Sequence, residues 1–261
     1  MKKGDKEYFL VRSVLLAGSI IASCGGETFR AEDTMCRMLL AGGATEPEAT
    51  VFSTSVSISF IDAKGELFCL TKRIKERNIN LGKIAKVNDL SRRFCSGALT
   101  VEEAHQELIN IDKNNEYPNY LINLCMIFTP AAFTVLLGGG LLDCMVAGVN
   151  GAIIALITSL QRKLSLHPAI FNVLIGILIA FFSCSIQTLP NCELNLFILL
   201  PGSIMALLPG VTLTNGVHDL LNADFMSGSA RLMEAVVTAA TLAVGIGFGL
   251  AISANLWGGA L

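Results

Sequence analysis

Charge is what this sequence has little of. Charged residues make up 15% of its 261 positions and hydrophobic residues 52%, whereas ordinary soluble domains carry about 25% charged residues. The shortage is uneven. Residues 1–119 hold 32 of the 40 charged side chains, and residues 120–261 hold the other 8. That split divides the chain into a polar front and an apolar rear. A basic excess is missing too. A net charge of −2 argues against a general nucleic-acid binder. None of the eight cysteines (24, 36, 69, 95, 125, 144, 184 and 192) forms a CxxC pair, and three of them lie in apolar runs. They read as small buried hydrophobes rather than as ligands or disulfides. GxSxG, HExxH and metal-ligand spacings are absent, so no hydrolase, intramembrane protease, metal or cofactor is expected. The start MKKGDKEYFL is basic, but the short apolar run VLLAGSIIA leads into CGGETFRAED rather than a cleavage site. No signal peptide is expected.

What the rear half has is long apolar runs. A helix needs about 20 mostly apolar residues to cross the hydrocarbon core. Five windows qualify, at about 120–137, 141–160, 169–189, 194–213 and 232–256. Gly138-Gly139-Gly140 separates the first two, and three glycines make a poor helix interior. The front part carries 16 of the 19 Lys and Arg residues, Arg162 and Lys163 follow the second window, and Arg231 ends the loop after the fourth. Positive residues stay inside, which predicts a cytoplasmic N-terminus, five spans and an external C-terminus. Trp257 falls where an interfacial anchor belongs.

Residues 1–118 read as a small cytoplasmic α+β domain, and 119–261 as the membrane domain. Apolar residues from Tyr8 to Ser23 follow a helical stripe, and Glu27 to Leu40 restarts a helix after Cys24-Gly25-Gly26. Phe52, Thr54, Val56, Ile58 and Phe60 alternate with serines, as in a half-buried strand. Asp62–Gly65 turns into a second strand at about 66–72. Ile84, Val87, Leu90 and Phe94 mark a helix. Thr100-Val-Glu-Glu103 fits a capping box that opens another.

The stretch LLPGSIMALLPGVTLTNGVHDL, residues 199–220, poses the functional question. Pro201 and Pro209 each remove a helix donor, and Gly202 and Gly210 allow close approach. Backbone broken at membrane depth has to pack on protein or line a wet cavity, and discontinuous helices bind small polar solutes in transporters. Thr212, Thr214 and Asn215 add polar groups, with Gly216 between them and the His218-Asp219 pair, which could relay protons. A proline-kinked packing helix is the simpler alternative. Ionisable residues in spans are candidates because unpaired charge in lipid is expensive. Asp143 reads equally as an interfacial residue. Glu234, three residues after Arg231, reads as a helix-end ion pair or as a carboxylate on the substrate path. Glu27, Arg30 and Asp33 are spaced to neighbour each other on a helix. Gly25-Gly26 lacks the Lys-Ser/Thr of a phosphate-binding loop.

Four segments in order, ASCGGETFRAEDTM, LGKIAKVNDLSRR, LLPGVTLTNGVHDL and SGSARLMEA, resemble the N-terminal component of the threonine/serine exporter family over nearly the whole chain. The resemblance implies a cytoplasmic domain, about five spans and export of small hydrophilic metabolites. Some members move threonine and serine on the proton gradient, and a related two-component system moves succinate. It also implies a separately encoded second membrane subunit, because longer members fuse one and this chain stops at Leu261. Gly25, Gly26, Glu27, Arg30, Glu32 and Asp33 match the first motif. Pro209, Gly210, Asn215, Gly216 and Asp219 match the second, and Gly228, Arg231 and Glu234 the third. Cys24 and Phe29 stand where Ser and Tyr are commoner, and His218 where Arg often precedes the Asp. The expectation is therefore an inner-membrane, multi-pass subunit for proton-coupled threonine/serine export, with the oligomeric state left open. A dicarboxylate such as succinate is the rival cargo, and a membrane-anchored sensor the rival of another class.

Overall fold

A computed structural model describes residues 3–61, 65–75, 77–114, 117–164, 167–190 and 192–257. Two compact units emerge, and they do not follow the chain linearly. One comprises Met1–Glu116 with Val211–Met233, the other Tyr117–Gly210 with Glu234–Leu261.

The first unit is built around helix α1 (Lys3–Ser23), whose Val14, Ala17, Ile20 and Ile21 are buried. Gly18 brings it close to α2 (Thr28–Ala41), because a Cβ there would collide with the Met35 side chain. Helix α3 (Leu81–Cys95) buries the expected Ile84, Val87, Leu90 and Phe94, and Asn80 caps it by accepting from Lys83 N at 3.0 Å. Helix α4 (Val101–Lys113) opens with the expected capping box. Thr100 Oγ1 accepts from Glu103 N at 3.3 Å, and Thr100 N donates back to Glu103 Oε2 at 2.9 Å. His105 on α4 is buried beside Ser13, with Oγ and Nδ1 3.0 Å apart. Burial, then the nearby Arg12 charge, hold its pKa below the ordinary value.

An antiparallel sheet β1-β2-β3 completes this unit. The run 52–60 is not one strand. β1 (Thr45–Phe52) ends where the alternation was expected to start, and β2 (Ser55–Ile61) follows a tight turn, with Phe52 paired to Ser55. Val56, Ile58 and Phe60 are buried on β2, as their period of two requires. β1 was masked by Pro47, Glu46 and Glu48, which an irregular edge strand tolerates; its register shifts between Thr45 and Glu48. β3 runs Leu67–Arg73. Most of the expected turn, 62–64, lies outside the described residues.

The second unit holds α5 (Asn119–Leu136), α6 (Leu141–Leu164), α7 (Pro168–Gln187), α8 (Leu196–Ile204) and most of α10 (Phe225–Trp257). Gly138, at φ +92°, makes the expected turn between α5 and α6. Pro168 starts α7, with His167 Nδ1 accepting from Ala169 N. Glycines bring α7 and α10 into backbone contact: a Cβ on Gly176 would lie 2.8 Å from Leu242 O. Small residues serve such close crossings between apolar helices.

Four helices among the described residues are long and apolar enough to span a membrane: α5, the Leu141–Gln161 part of α6, α7 and α10. The expected fourth window, 194–213, is not one helix. α8 stops at Ile204, a 3-10 turn covers Met205–Leu207, Leu208 is extended with ψ 135°, and α9 runs Gly210–Leu221. Pro209 enforces the break, since the residue before a proline avoids helical backbone. The two pieces together make a fifth candidate span. The final helix begins at Phe225 rather than 232.

Candidate functional site

Asp219 is the centre of the first unit's polar cluster. Only 1% of it is exposed, and three segments of the chain meet on it. Arg231, near the start of α10, places Nε 3.1 Å from Asp219 Oδ2. Thr28 Oγ1 donates to the same oxygen at 3.1 Å, and Thr28 N approaches Oδ1 at 3.4 Å. The carboxylate therefore sits on the first turn of α2. There it meets free N–H groups and the positive end of the helix dipole.

The second anchor is main chain. Arg231 Nη2 donates to Gly26 O at 2.9 Å, and Asn215 Nδ2 donates to Gly25 O at 2.8 Å. Asn215 and Asp219, four apart, share one face of α9. The Gly25-Gly26 pair is explained by shape. Gly25 has φ +91°, and a Cβ on Gly26 would sit 2.8 Å from Ile21 O. Because carbonyl oxygens face the cluster, the pair receives donors and a cation rather than a phosphate. Gly216 and Gly228 let α9 and α10 cross closely: a Cβ on Gly228 would lie 2.9 Å from Gly216 O. Ser227 Oγ donates to Val51 O at 3.2 Å, and Glu32 Oε1 accepts from Val51 N at 2.9 Å. Burial, with further push from the Asp224 and Asp219 charges, raises the Glu32 pKa, and the Val51 N–H bond opposes this.

The expected residues sort into two places. Gly25, Gly26, Glu27, Asn215, Gly216, His218, Asp219, Gly228 and Arg231 come together. His218 and Asp219 are not paired with each other. Consecutive helix residues point about 100° apart, and His218 Nδ1 lies 3.0 Å from Asn222 Nδ2 and 3.7 Å from Glu27 Oε1, with its ring tilted beside Phe29. Glu27 also pairs with Arg30 at 3.6 Å, but Asp33 pairs with Arg37 instead. Arg231 pairs with Asp219, and Glu234 is exposed. Thr212 is half-buried and Thr214 exposed. Thr28 and Ser227 escaped the sequence reading. A threonine two positions after a double glycine, at the start of a helix, was the available signal for Thr28.

Pro201, Gly202, Pro209 and Gly210 belong to the second unit. Pro201 lines a cavity of about 1050 Å³ there, together with Leu200, Ile204, Leu250 and Ala254 and the polar Asp143, Gln187 and Glu193. Asp143 is buried and fully engaged. Its Oδ2 accepts from Gly140 N and its Oδ1 from Asn195 N, both at 2.9 Å. Among the described residues, no three His, Cys, Asp or Glu side chains are grouped to hold a metal.

Comparison with known proteins gives this arrangement a context. A family model described as "Putative threonine/serine exporter" matches residues 12–253. The "Probable succinate transporter subunit YjjP" of Klebsiella aerogenes is 25% identical over 234 residues, 90% of this chain and 88% of its own. "Pheromone-regulated membrane protein 10" of Kluyveromyces lactis is 26% identical over 189 residues, 70% of this chain but 19% of its own. The "Probable threonine/serine exporter" of Mycobacterium tuberculosis is 25% identical over 184 residues, 68% of this chain and 33% of its own. The chain therefore spans a third or less of the fungal and mycobacterial relatives and most of the Klebsiella one. No solved structure matches it significantly.

Proposed function

The chain belongs to the threonine/serine exporter family, and from that premise we propose that it is one subunit of a proton-coupled exporter of threonine or serine. It lies in the inner membrane with its N-terminus cytoplasmic and C-terminus outside. It works with a second small polytopic subunit, as the word "subunit" in the name of the Klebsiella relative suggests.

One observation carries the coupling role: the buried ion pair Asp219–Arg231, which ties the segment after the broken helix to Gly26 and Thr28. A proton arriving at Asp219 removes its charge. Arg231 then loses its counter-ion, and the first turn of α2 loses its acceptor. A buried charge left without its partner is strongly disfavoured, so the cluster rearranges, and that rearrangement is the coupling step. The test is efflux of labelled serine and threonine from preloaded vesicles containing both subunits. Asp219→Asn, which keeps the shape and removes the charge, should abolish proton-driven efflux. Full efflux by that variant would end the coupling role.

A dicarboxylate cargo is the second reading, favoured by the near full-length match to the succinate transporter subunit. The cluster weighs against it. Succinate carries two negative charges, and Arg231 already has Asp219 and a carbonyl as partners. Including labelled succinate in the same assay decides between the two cargoes.

A further inference from the structure

The second unit buries a group of neutral polar side chains beside the broken helix. Thr134 of α5, Asn150 of α6, Ser183 of α7 and Ser203 of α8 are all at 0% exposure. Asn150 Nδ2 donates to Ser183 Oγ at 3.0 Å and to Ser203 Oγ at 2.9 Å. Two atoms are left over. Asn150 Oδ1 and Thr134 Oγ1 have no hydrogen-bond partner among the described residues. Four apolar helices do not bury a half-used amide and an unused hydroxyl without a reason, because buried polar groups are almost always paired and polar residues inside a membrane mark solute paths.

The two side chains that carry these open atoms touch adjacent residues of α8. Asn150 is bonded to Ser203, while Gly202 is packed so tightly on Thr134 that a Cβ there would collide with its Oγ1. Leu200, Pro201 and Ile204, on either side of them in sequence, line the cavity. α8 thus touches the cavity and the polar group within five residues. Pro201 takes one hydrogen bond out of this helix, which makes α8 the element able to shift and admit a solute to the group.

We propose that Asn150 and Thr134 bind the hydroxyl of the cargo, making them specificity residues of the exporter; this rests on the transport reading above. An amide oxygen accepts and a hydroxyl can donate, which is the complement of one alcohol group. Asn150, Thr134, Ser183 and Ser203 are uncharged, so the cluster suits an alcohol better than an ammonium or carboxylate, whose burial demands a counter-charge.

Thr134→Val tests this, because valine keeps the shape and removes only a hydroxyl that bonds to nothing in the structure. Efflux of serine and of alanine is measured in vesicles with both subunits, together with the Tm of the purified chain with and without serine. The expected result is a Tm no lower than wild type and a serine-over-alanine preference reduced by roughly tenfold or more, since a site built around a hydrogen bond rejects the analogue lacking it. Asn150→Leu should abolish the preference, and Thr134→Val keeps the test valid if that variant fails to fold. Unchanged preference in Thr134→Val, or equal losses for serine and alanine as a resident water would give, overturns the inference while leaving the export reading intact. A wild type that is not stabilised by serine and exports neither amino acid overturns both.

Discussion

Each unit buries one carboxylate among the described residues, and the two are held by different chemistry. Asp143 accepts from two main-chain N–H groups, of Gly140 and Asn195. Its donors are neutral, and it pins the starts of α6 and α8. Asp219 is held by a guanidinium, a threonine hydroxyl and a helix N-terminus, and its partners come from positions 28 and 231. The first arrangement is a staple, indifferent to the rest of the chain's charge. The second ties α2, α9 and α10 together through a charge pair. Burial of an acid is therefore not enough to nominate it for coupling; the charge of its partner decides.

The largest expected effect breaks the charged side of that contrast. Asp219→Ala leaves Arg231 buried and unpaired, and should lower stability by about 3–5 kcal/mol. Asp219→Ala combined with Arg231→Met should recover more than half of that loss in denaturant unfolding of the purified chain. Additive losses would show that the pair is not a unit. Asp143→Ala should cost less, about 1–3 kcal/mol, the penalty for leaving two N–H groups without an acceptor. Efflux by that variant should fall only as far as the amount of folded protein falls, measured by quantitative blotting of the vesicles. The smallest effect concerns pH. Because the folded pKa of His105 lies below its ordinary value of 6.5, the unfolded chain takes up a proton first as pH drops through that value. Stability should decline below it. His105→Gln should flatten the decline in thermal unfolding from pH 7.5 to 5.5. That background has to be removed before any pH effect on efflux is attributed to Asp219.

Much of the architecture was legible because it depends on local pattern. The capping box at Thr100, the apolar faces of α3 and α4, the glycine turn at Gly138 and four long apolar helices all follow from spacing alone. β1 was not legible, because proline and two glutamates hide an edge strand whose pairing is made by backbone. The partners of the 211–233 segment, expected as span ends and a loop, were not legible either. Its apolar residues suit a membrane as well as a protein interior, and its polar contacts are with residues 190–205 positions away. In the candidate site, the motif residues were legible as a set but not as partners. Sequence spacing placed Arg231 next to Glu234 and His218 next to Asp219. The fold instead gave Arg231 to Asp219, and His218 to Asn222 and Glu27. Asn150, Ser183 and Ser203 were not legible as a group, because neutral polar residues scarcely alter a hydropathy window.

The Gly25 and Gly26 carbonyls have a consequence for variation. Arg231 and Asn215 grip atoms that every amino acid possesses, so the grip itself places no demand on side-chain identity in the loop. What restricts positions 25 and 26 is room and backbone angle, while an exposed neighbour such as Phe29 can drift without loosening the hold. A mutational scan across 25–29 should therefore read as two intolerant positions followed by more permissive ones, with Thr28 intermediate, and the boundary between them would trace where the chain is recognised by its backbone.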